Sequence, residues 1–226
     1  MFNQLSKLIL LGIFVALLIT TPIYAVTNYK ISNYGGGHQI WFEAEDFDER
    51  NPDTDDYFPV VDVADAFGQA INRTGGAGGM IRWTFDISAA GGTGGTWYFW
   101  GRVVNPENLS DYMLVEGHPG DVIPVEEPFT GAFVNGQRIF ERNTGPPFGW
   151  SGGGEGHVKQ LQDGENTMHI VHRQADNRVY WDVMMWTDDP DYQPTDDDYL
   201  DSEPFVPIDL PGDFNDDGVL DAADYV

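Results

Sequence analysis

Short stretches in which apolar and polar residues alternate fill the region from Gln39 to Trp186, and they constrain the fold more than any other feature. In "GMIRWTFDI" every second residue from Ile81 to Ile87 is apolar, which is the pattern of a half-buried strand. "NTMHIVHR" alternates in the same way, whereas "TWYFWGRVV" and "RVYWDVMMW" are apolar on both faces, as central strands are. Glycine-rich turns such as "GGAGG" and "AGGTGG" separate these runs, and no amphipathic helix is evident. The pattern predicts an all-β fold, an antiparallel β-sandwich or jelly roll.

Residues 1–25 have the composition of a secretory signal peptide. One lysine precedes an apolar run from Leu8 to Ile19, and the small residue Ala25 marks the expected cleavage site. An uncleaved membrane anchor is the alternative, although the run is shorter than the roughly 20 residues that a membrane span requires. Either way, we expect the rest of the chain to be secreted or displayed at the cell surface, with no membrane contact beyond this export signal.

Charge and cysteine content narrow the classes of partner. The 226-residue chain contains no cysteine and has a formal net charge of −26. Disulfides therefore cannot stabilise this exported protein, and bound metal is an alternative. Nucleic acid and anionic membrane surfaces would be repelled, whereas divalent cations and neutral sugars are compatible partners. We expect one principal domain over residues 26–186.

The composition changes after Trp186. Residues 187–211 are acidic, contain several prolines and have no basic residue, which is typical of an extended, self-repelling linker. A short module over residues 212–226 follows this predicted linker.

The C-terminal module has the spacing of an EF-hand-type calcium loop. Oxygen-bearing side chains fall at loop positions one, three, five, nine and twelve, counted from Asp213. These residues are Asp213, Asn215, Asp217, Asp221 and Asp224. Gly218 permits the sharp turn at position six, and Val219 would give its main-chain carbonyl at position seven. We therefore predict a Ca²⁺ site here.

This loop departs from an EF-hand at its last ligand, where Asp224 replaces the bidentate glutamate. With the apolar Leu220 followed by "DAAD", which closes the loop, it resembles the calcium repeat of bacterial type I dockerins, of which one loop is present. The resemblance implies a cohesin partner if the full gene product completes the dockerin.

A second calcium site is predicted near the beginning of the domain. In "WFEAEDF", Glu43 and Glu45 are two residues apart and would share one face of a strand. Adjacent carboxylates repel each other unless a cation lies between them. Asp182, in an otherwise apolar strand, is the candidate third ligand; surface acids on edge strands are the alternative.

Several motifs together resemble the galactose-binding-like jelly rolls of family 6 and family 35 carbohydrate-binding modules. They are "EAED", "GGMIRWTF", "GTWYFWGRVV", "LQDGENTMHIVHRQ" and the closing aromatic-Asp strand, over Gln39 to Trp186. The resemblance implies a structural calcium at Glu43, Glu45 and Asp182. It also implies a sugar site of loop aromatics and a late asparagine, which by position are Trp150, Phe148 and Asn177.

Trp150 among glycines could stack on a sugar ring or pack in the core, whereas we expect Trp83, Trp97 and Trp181 to be core residues. The insertion "EGHPGDVIPVEEPFTGAFVNGQ" is long for such a module and could cover the sugar site.

No catalytic constellation is evident. The chain has no cysteine nucleophile, "GxSxG" motif or phosphate-binding loop, and its many carboxylates do not single out a glycosidase pair. The sequence therefore predicts a non-catalytic protein that binds a polysaccharide or other glycan. The alternatives are a surface-assembly protein that binds protein partners and a fragment of a carbohydrate-active enzyme.

Overall fold

Thirteen strands and one short helix form within the residues described by the computed structural model, which are 28–75, 78–107, 111–123, 139–143, 147–152, 156–173 and 176–205. The strands are β1 (Tyr29–Ser32), β2 (Gln39–Glu43), β3 (Glu49–Asn51), β4 (Val60–Val61), β5 (Ala70–Asn72), β6 (Met80–Asp86), β7 (Gly95–Val104), β8 (Tyr112–Val115), β9 (Gly149–Ser151), β10 (Val158–Leu161), β11 (Glu165–Val171), β12 (Tyr180–Thr187) and β13 (Glu203–Pro204). The helix, α1, spans Asp196–Asp201.

The strands form two antiparallel sheets. The larger sheet has the order β10-β7-β12-β2-β1-β13, with β9 paired to β7 and the β4–β5 pair joined to β12. The smaller sheet has the order β3-β6-β11-β8. Strands that are neighbours in a sheet are often distant in sequence, as in a jelly roll. The prediction of an all-β antiparallel β-sandwich is confirmed.

The core lies between the two sheets and follows the predicted alternation. The inward residues of β6 are fully or almost fully buried, and Arg82, Thr84 and Asp86 between them remain partly exposed. Trp83, Trp97 and Trp181 belong to this core, as predicted. β12 lies between β7 and β2 and is buried over nearly its whole length, because apolar clusters cover both of its faces, so the sequence that is apolar on both faces is that of a central strand.

A second cluster of apolar residues lies on the outer face of the larger sheet. Its buried members are Trp41, Val183, Met185 and Tyr199. The last of these belongs to residues 188–205, which we call the strap. The strap contains α1 and β13, and β13 adds to the larger sheet by pairing with β1.

The strap corrects the predicted domain boundary after Trp186. Residues 188–205 are not an extended linker, because aromatic side chains spaced along this acidic segment cover the outer face of the sheet. Tyr199 is 4% exposed, with its ring 6.1 Å from that of Trp41. Residues 206–211 of the predicted linker lie outside the described residues, as do the predicted signal peptide and residues 124–137 of the insertion.

The membrane question has one structural observation. In the part of the chain that the structure describes, no helix combines the length and hydropathy that crossing a membrane requires.

Candidate cation and ligand sites

A bulge in β12 determines where Asp182 points. In the pairing with β7, Trp181 lies opposite Val103 and Val183 lies opposite Arg102, so Asp182 is an extra residue on its strand. Bulges of this kind re-aim a side chain. The Asp182 carboxylate consequently forms an ion pair with Arg102, although each of the two side chains is almost fully buried.

Glu43 and Glu45 lie beside this bulge, and each carboxylate has one satisfied oxygen. Oε1 of Glu43 accepts a hydrogen bond from the Tyr199 hydroxyl, and Oε1 of Glu45 accepts one from the Gln69 backbone N–H at 2.6 Å. The Oε2 atoms of both glutamates are buried without a hydrogen-bond partner among the described residues. Each buried, unpaired carboxylate oxygen carries a desolvation cost that a bound cation would offset.

The surroundings of the glutamates favour their protonated forms. Burial raises the pKa of Glu43 to about 7, the Tyr199 hydrogen bond opposes this shift, and the negative charges of Glu45 and Asp182 add to it. Burial also raises the pKa of Glu45. The three acidic residues therefore act on one another, as expected for carboxylates brought together without a cation.

Asp182 differs from the glutamates because both its carboxylate oxygens have partners. Arg102 binds Oδ2, and the Phe67 backbone N–H donates to Oδ1 at 3.0 Å. Across the described ranges, no group of three or more His, Asp or Glu side chains has the arrangement of a metal site. The fit to a hard cation thus lies with Glu43 and Glu45, whereas Asp182 neutralises Arg102.

Trp150 projects from β9 on the outer face of the larger sheet. It lies opposite Arg102 of β7, and its ring meets Trp41 edge-on with 5.5 Å between centroids. Its indole N–H donates to Oδ1 of Asp196, in the strap, at 2.8 Å. The side chain is half-buried, so it is neither a core residue like Trp83 nor a free surface residue.

Two further aromatic residues share this face. Tyr98 and Trp100 alternate along β7 with core residues, so they point away from the core, and both are half-buried. Gly152 lies against the Trp100 ring, where any Cβ atom would overlap the indole. We call Tyr98, Trp100 and Trp150 the aromatic surface.

The other two predicted sugar-binding residues lie elsewhere. Phe148 is 7% exposed and packs with Ala70 and Val104, so its ring is not an open platform. Asn177 is exposed in the turn before β12, where its main-chain carbonyl accepts a hydrogen bond from the Asn72 side chain at 2.9 Å. The sequence prediction therefore grouped three residues that the fold separates by environment.

Sequence reasoning missed Arg102, Asp196 and Tyr199, which connect the acidic residues to the aromatic surface. Arg102 was the detectable one, because an arginine in the otherwise apolar stretch "TWYFWGRVV" needs a buried acidic partner. Asp196 and Tyr199 gave no signal, since they are among many acidic and aromatic residues of the predicted linker.

The C-terminal calcium loop stays a prediction from the sequence. Its predicted ligands lie outside the described residues: Asp213, Asn215, Asp217, Val219, Asp221 and Asp224.

Comparison with known proteins gives no family assignment. No protein-family model and no curated protein matches the chain. Among solved structures it is similar to a family 35 carbohydrate-binding module from Clostridium thermocellum, with a TM-score of 0.44 and 18% identity over 66% of this chain and 96% of that one.

Two enzyme structures are also similar. One is a GH26-CBM35 β-(1,4)-mannanase from Podospora anserina, with a TM-score of 0.44 and 16% identity over 70% of this chain and 29% of the enzyme. The other is an exo-β-1,3-galactanase from Phanerochaete chrysosporium, with a TM-score of 0.37 and 15% identity over 65% of this chain and 28% of the enzyme. The chain thus spans less than a third of each enzyme, and its assignment as a β-sandwich rests on its own strand pairing.

Proposed function

We propose that this chain is an exported, non-catalytic protein that binds carbohydrate through the aromatic surface of its β-sandwich. The observation that carries the proposal is the set of three half-buried rings, Tyr98, Trp100 and Trp150, on one face of neighbouring strands. A pyranose offers an apolar face that stacks on such rings and hydroxyl groups that need fixed polar partners.

Calcium is part of the proposal as a stabilising ion. Glu43 and Glu45 would hold it through the buried oxygens that lack partners, and the ion would supply charge neutralisation there. The loop from Asp213 to Asp224 would hold a second Ca²⁺, and its dockerin-like pattern supports attachment to a cohesin. Both sites have oxygen ligands only, which suits a hard cation.

The sugar-binding proposal is tested by retention on insoluble polysaccharides. The purified chain is incubated with β-1,4-mannan, β-1,3-galactan, xylan and cellulose, and the bound fraction is measured against concentration. We expect saturable binding to at least one polymer, reduced at least about fivefold by Trp150→Ala and by Trp100→Ala, because loss of an aromatic stacking partner weakens binding by about 1–3 kcal/mol.

Tyr57→Ala is the matched control, since this partly buried ring lies over Gly75 and Gly79 and outside the aromatic surface. Its binding should equal that of the unmodified chain. The proposal would be overturned if the folded protein bound neither these polymers nor any member of a glycan array. It would also be overturned if both tryptophan variants bound as well as the unmodified chain. Binding to proteins only would favour a surface-assembly role, and release of soluble sugar from a polymer would favour an enzyme.

A further inference from the structure

The strap makes specific contacts with β1 and β2 of the larger sheet. The Tyr199 hydroxyl donates to Glu43, and the Lys30 ammonium donates to the Tyr199 main-chain carbonyl at 3.1 Å. Phe205 stacks on Tyr29 with 4.7 Å between ring centroids, just after β13 pairs with β1. The strap is therefore fixed at several points and belongs to the folded domain.

The position of Asp196 is fixed by the start of α1. Thr195 caps the helix by accepting a hydrogen bond from the Asp198 backbone N–H at 3.2 Å, and the Asp198 side chain accepts one from the Thr195 N–H at 3.0 Å. This reciprocal capping box, with acidic residues in the first turn, stabilises a helix start. Asp196 follows the cap directly, so its carboxylate emerges at a defined point over the sheet.

Asp196 connects the strap to Arg102 and Trp150 at once. Its Oδ1 accepts hydrogen bonds from the Arg102 Nε at 2.9 Å and from the Trp150 indole nitrogen at 2.8 Å, while Oδ2 accepts one from the Arg102 Nη2 at 3.1 Å. A bidentate pair of this type fixes geometry as well as charge.

Arg102 is itself held in place. Its guanidinium carbon lies 4.0 Å from the centre of the Phe67 ring and 5.2 Å from that of Phe148, and Asp182 binds it from the bulge of β12. A chain of direct contacts thus runs from Asp182 through Arg102 and Asp196 to Trp150. Phe148, which the sequence predicted as a sugar-binding residue, instead packs against Arg102.

Trp150 receives little orientation from its own strand. β9 is three residues long and pairs with β7 alone among the described strands. The edge contact with Trp41 packs the ring but is not directed at the indole nitrogen, whereas the hydrogen bond from that nitrogen to Asp196 fixes where the N–H edge of the ring points. The contact to Asp196 is therefore the interaction that sets the direction of the indole.

We propose that the strap orients Trp150 for ligand stacking and that Asp196 is the positioning residue through which it acts. This inference rests on the proposed function, because it assigns a role within the same aromatic surface. It extends that function by assigning Asp196, at the start of α1 in the strap, to the binding site. Without the Asp196 side chain, we expect the Trp150 ring to stay on the aromatic surface but to sample several orientations. A stacking site needs a pre-oriented ring.

The test compares Asp196→Ala with Asp197→Ala in the full chain. Asp197 is an exposed neighbour in the same first turn, so its substitution removes the same charge from the helix start without touching Trp150. Binding is measured on β-1,4-mannan, β-1,3-galactan, xylan and cellulose. Acrylamide quenching of tryptophan fluorescence is measured without polysaccharide, with Trp150→Phe as the reference that identifies the Trp150 signal.

We expect Asp196→Ala to lower polysaccharide affinity at least fivefold and to increase quenching of Trp150, whereas Asp197→Ala should match the unmodified chain in both measurements. Asp196→Asn keeps the side-chain size and an acceptor oxygen but loses the charge towards Arg102, so an intermediate effect is expected. It also serves as the informative variant if Asp196→Ala fails to fold.

Two results would overturn the proposal in distinguishable ways. Loss of binding by Trp150→Ala together with unmodified affinity and quenching in both Asp196 variants would overturn the positioning role and leave the aromatic surface intact. Unmodified binding by Trp150→Ala would overturn the aromatic surface at Trp150 and the positioning role with it.

Discussion

Asp111 shows how one buried carboxylate can be kept charged by its neighbours. Its side chain forms a bidentate ion pair with Arg73, which is 1% exposed, and accepts the Arg173 backbone N–H at 3.1 Å. Burial alone would raise its pKa, but the Arg73 charge and the His172 side chain outweigh burial and lower the pKa to about 2. The pair also joins a residue that follows β5 of the larger sheet to one that precedes β8 of the smaller sheet.

We predict that Asp111→Asn lowers the free energy of unfolding by about 3–5 kcal/mol, because it leaves the Arg73 charge buried without a counter-charge. Since the pKa of Asp111 is lower in the folded chain, its contribution is complete above about pH 4 and is lost as the pH falls towards 2. Urea unfolding at pH 7 and at pH 3 measures both effects. Asp53→Asn, at an 86% exposed partner of Arg50, is the control and should change stability by at most about 1 kcal/mol.

Glu43 has the opposite linkage between pH and stability. Its pKa is raised from the usual 4.5 to about 7, so the folded chain binds the proton more tightly than the unfolded chain does. With calcium removed by a chelator, the contribution of Glu43 to the free energy of unfolding should be fully present below about pH 4.5 and lost as the pH rises through 7. We expect urea unfolding of the unmodified chain to show a decline of about 1–3 kcal/mol over this range that Glu43→Gln lacks.

The control for this prediction is Glu203→Gln, which changes an exposed glutamate of β13. It should keep the decline. Identical pH profiles for the unmodified chain and Glu43→Gln would contradict the buried state of this carboxylate. Saturating calcium should also remove the decline, because the cation favours the ionised form.

At the scale of the elements, the strands were predictable and the strap was not. The alternation in β6 predicts one buried face, and the apolar sequence of β12 predicts two, because the number of buried faces of a strand determines its pattern of apolar residues. The strap needs a partner surface made by Trp41, Val183 and Met185, which come from two strands that are paired in the sheet but distant in sequence. Its acidic composition alone is typical of a linker, and only the folded sheet supplies the apolar surface on which its aromatic residues pack.

The same limit applies to the candidate sites. The pair Glu43 and Glu45 could be predicted as neighbours from their two-residue spacing, although Glu45 lies in the turn after β2 and not in the strand, and both carboxylates lie beside Gly68. The partner of Asp182 could not, because a bulge displaces its side chain and no local pattern in "VYWDVMMW" indicates a bulge. Predicting Phe148 as a platform failed for a related reason, since the glycines near it do not reveal that the ring lies against Arg102.

We predict that Tyr199→Ala releases the strap while the sandwich stays folded. The substitution removes the contact with Trp41 and the hydrogen bond to Glu43, and losses of this size for a buried aromatic residue are about 3 kcal/mol. Hydrogen exchange should then quicken across residues 188–205 and stay slow in β6 and β11. Leu200→Ala, at a 56% exposed neighbour, should leave the pattern unchanged. Slow exchange of the strap in Tyr199→Ala would mean that other contacts hold it.

For the whole molecule, we expect the high negative charge to attract calcium at many places besides the two proposed sites. A chain with net charge −26 attracts divalent cations loosely everywhere, so a rise in melting temperature with calcium is not diagnostic by itself. Salt screens that loose association, whereas ions held by several oxygen ligands persist. Stoichiometry at moderate ionic strength therefore separates the two cases.

We predict two calcium ions per chain by isothermal titration calorimetry in 0.15 M salt, one at Glu43 and Glu45 and one in the C-terminal loop. Glu43→Gln and Asp217→Ala should each reduce the stoichiometry to one, and the double variant to zero, because each removes an oxygen ligand from a different site. The glutamates lie on the sandwich, so Glu43→Gln should abolish the rise in the sandwich's melting temperature with calcium in 0.15 M salt, and Asp217→Ala should keep it. That rise grows with the logarithm of free calcium above the dissociation constant. Two ions bound by the double variant would show that calcium occupies other carboxylates, and loss of both ions in either single variant would show that the two sites are coupled.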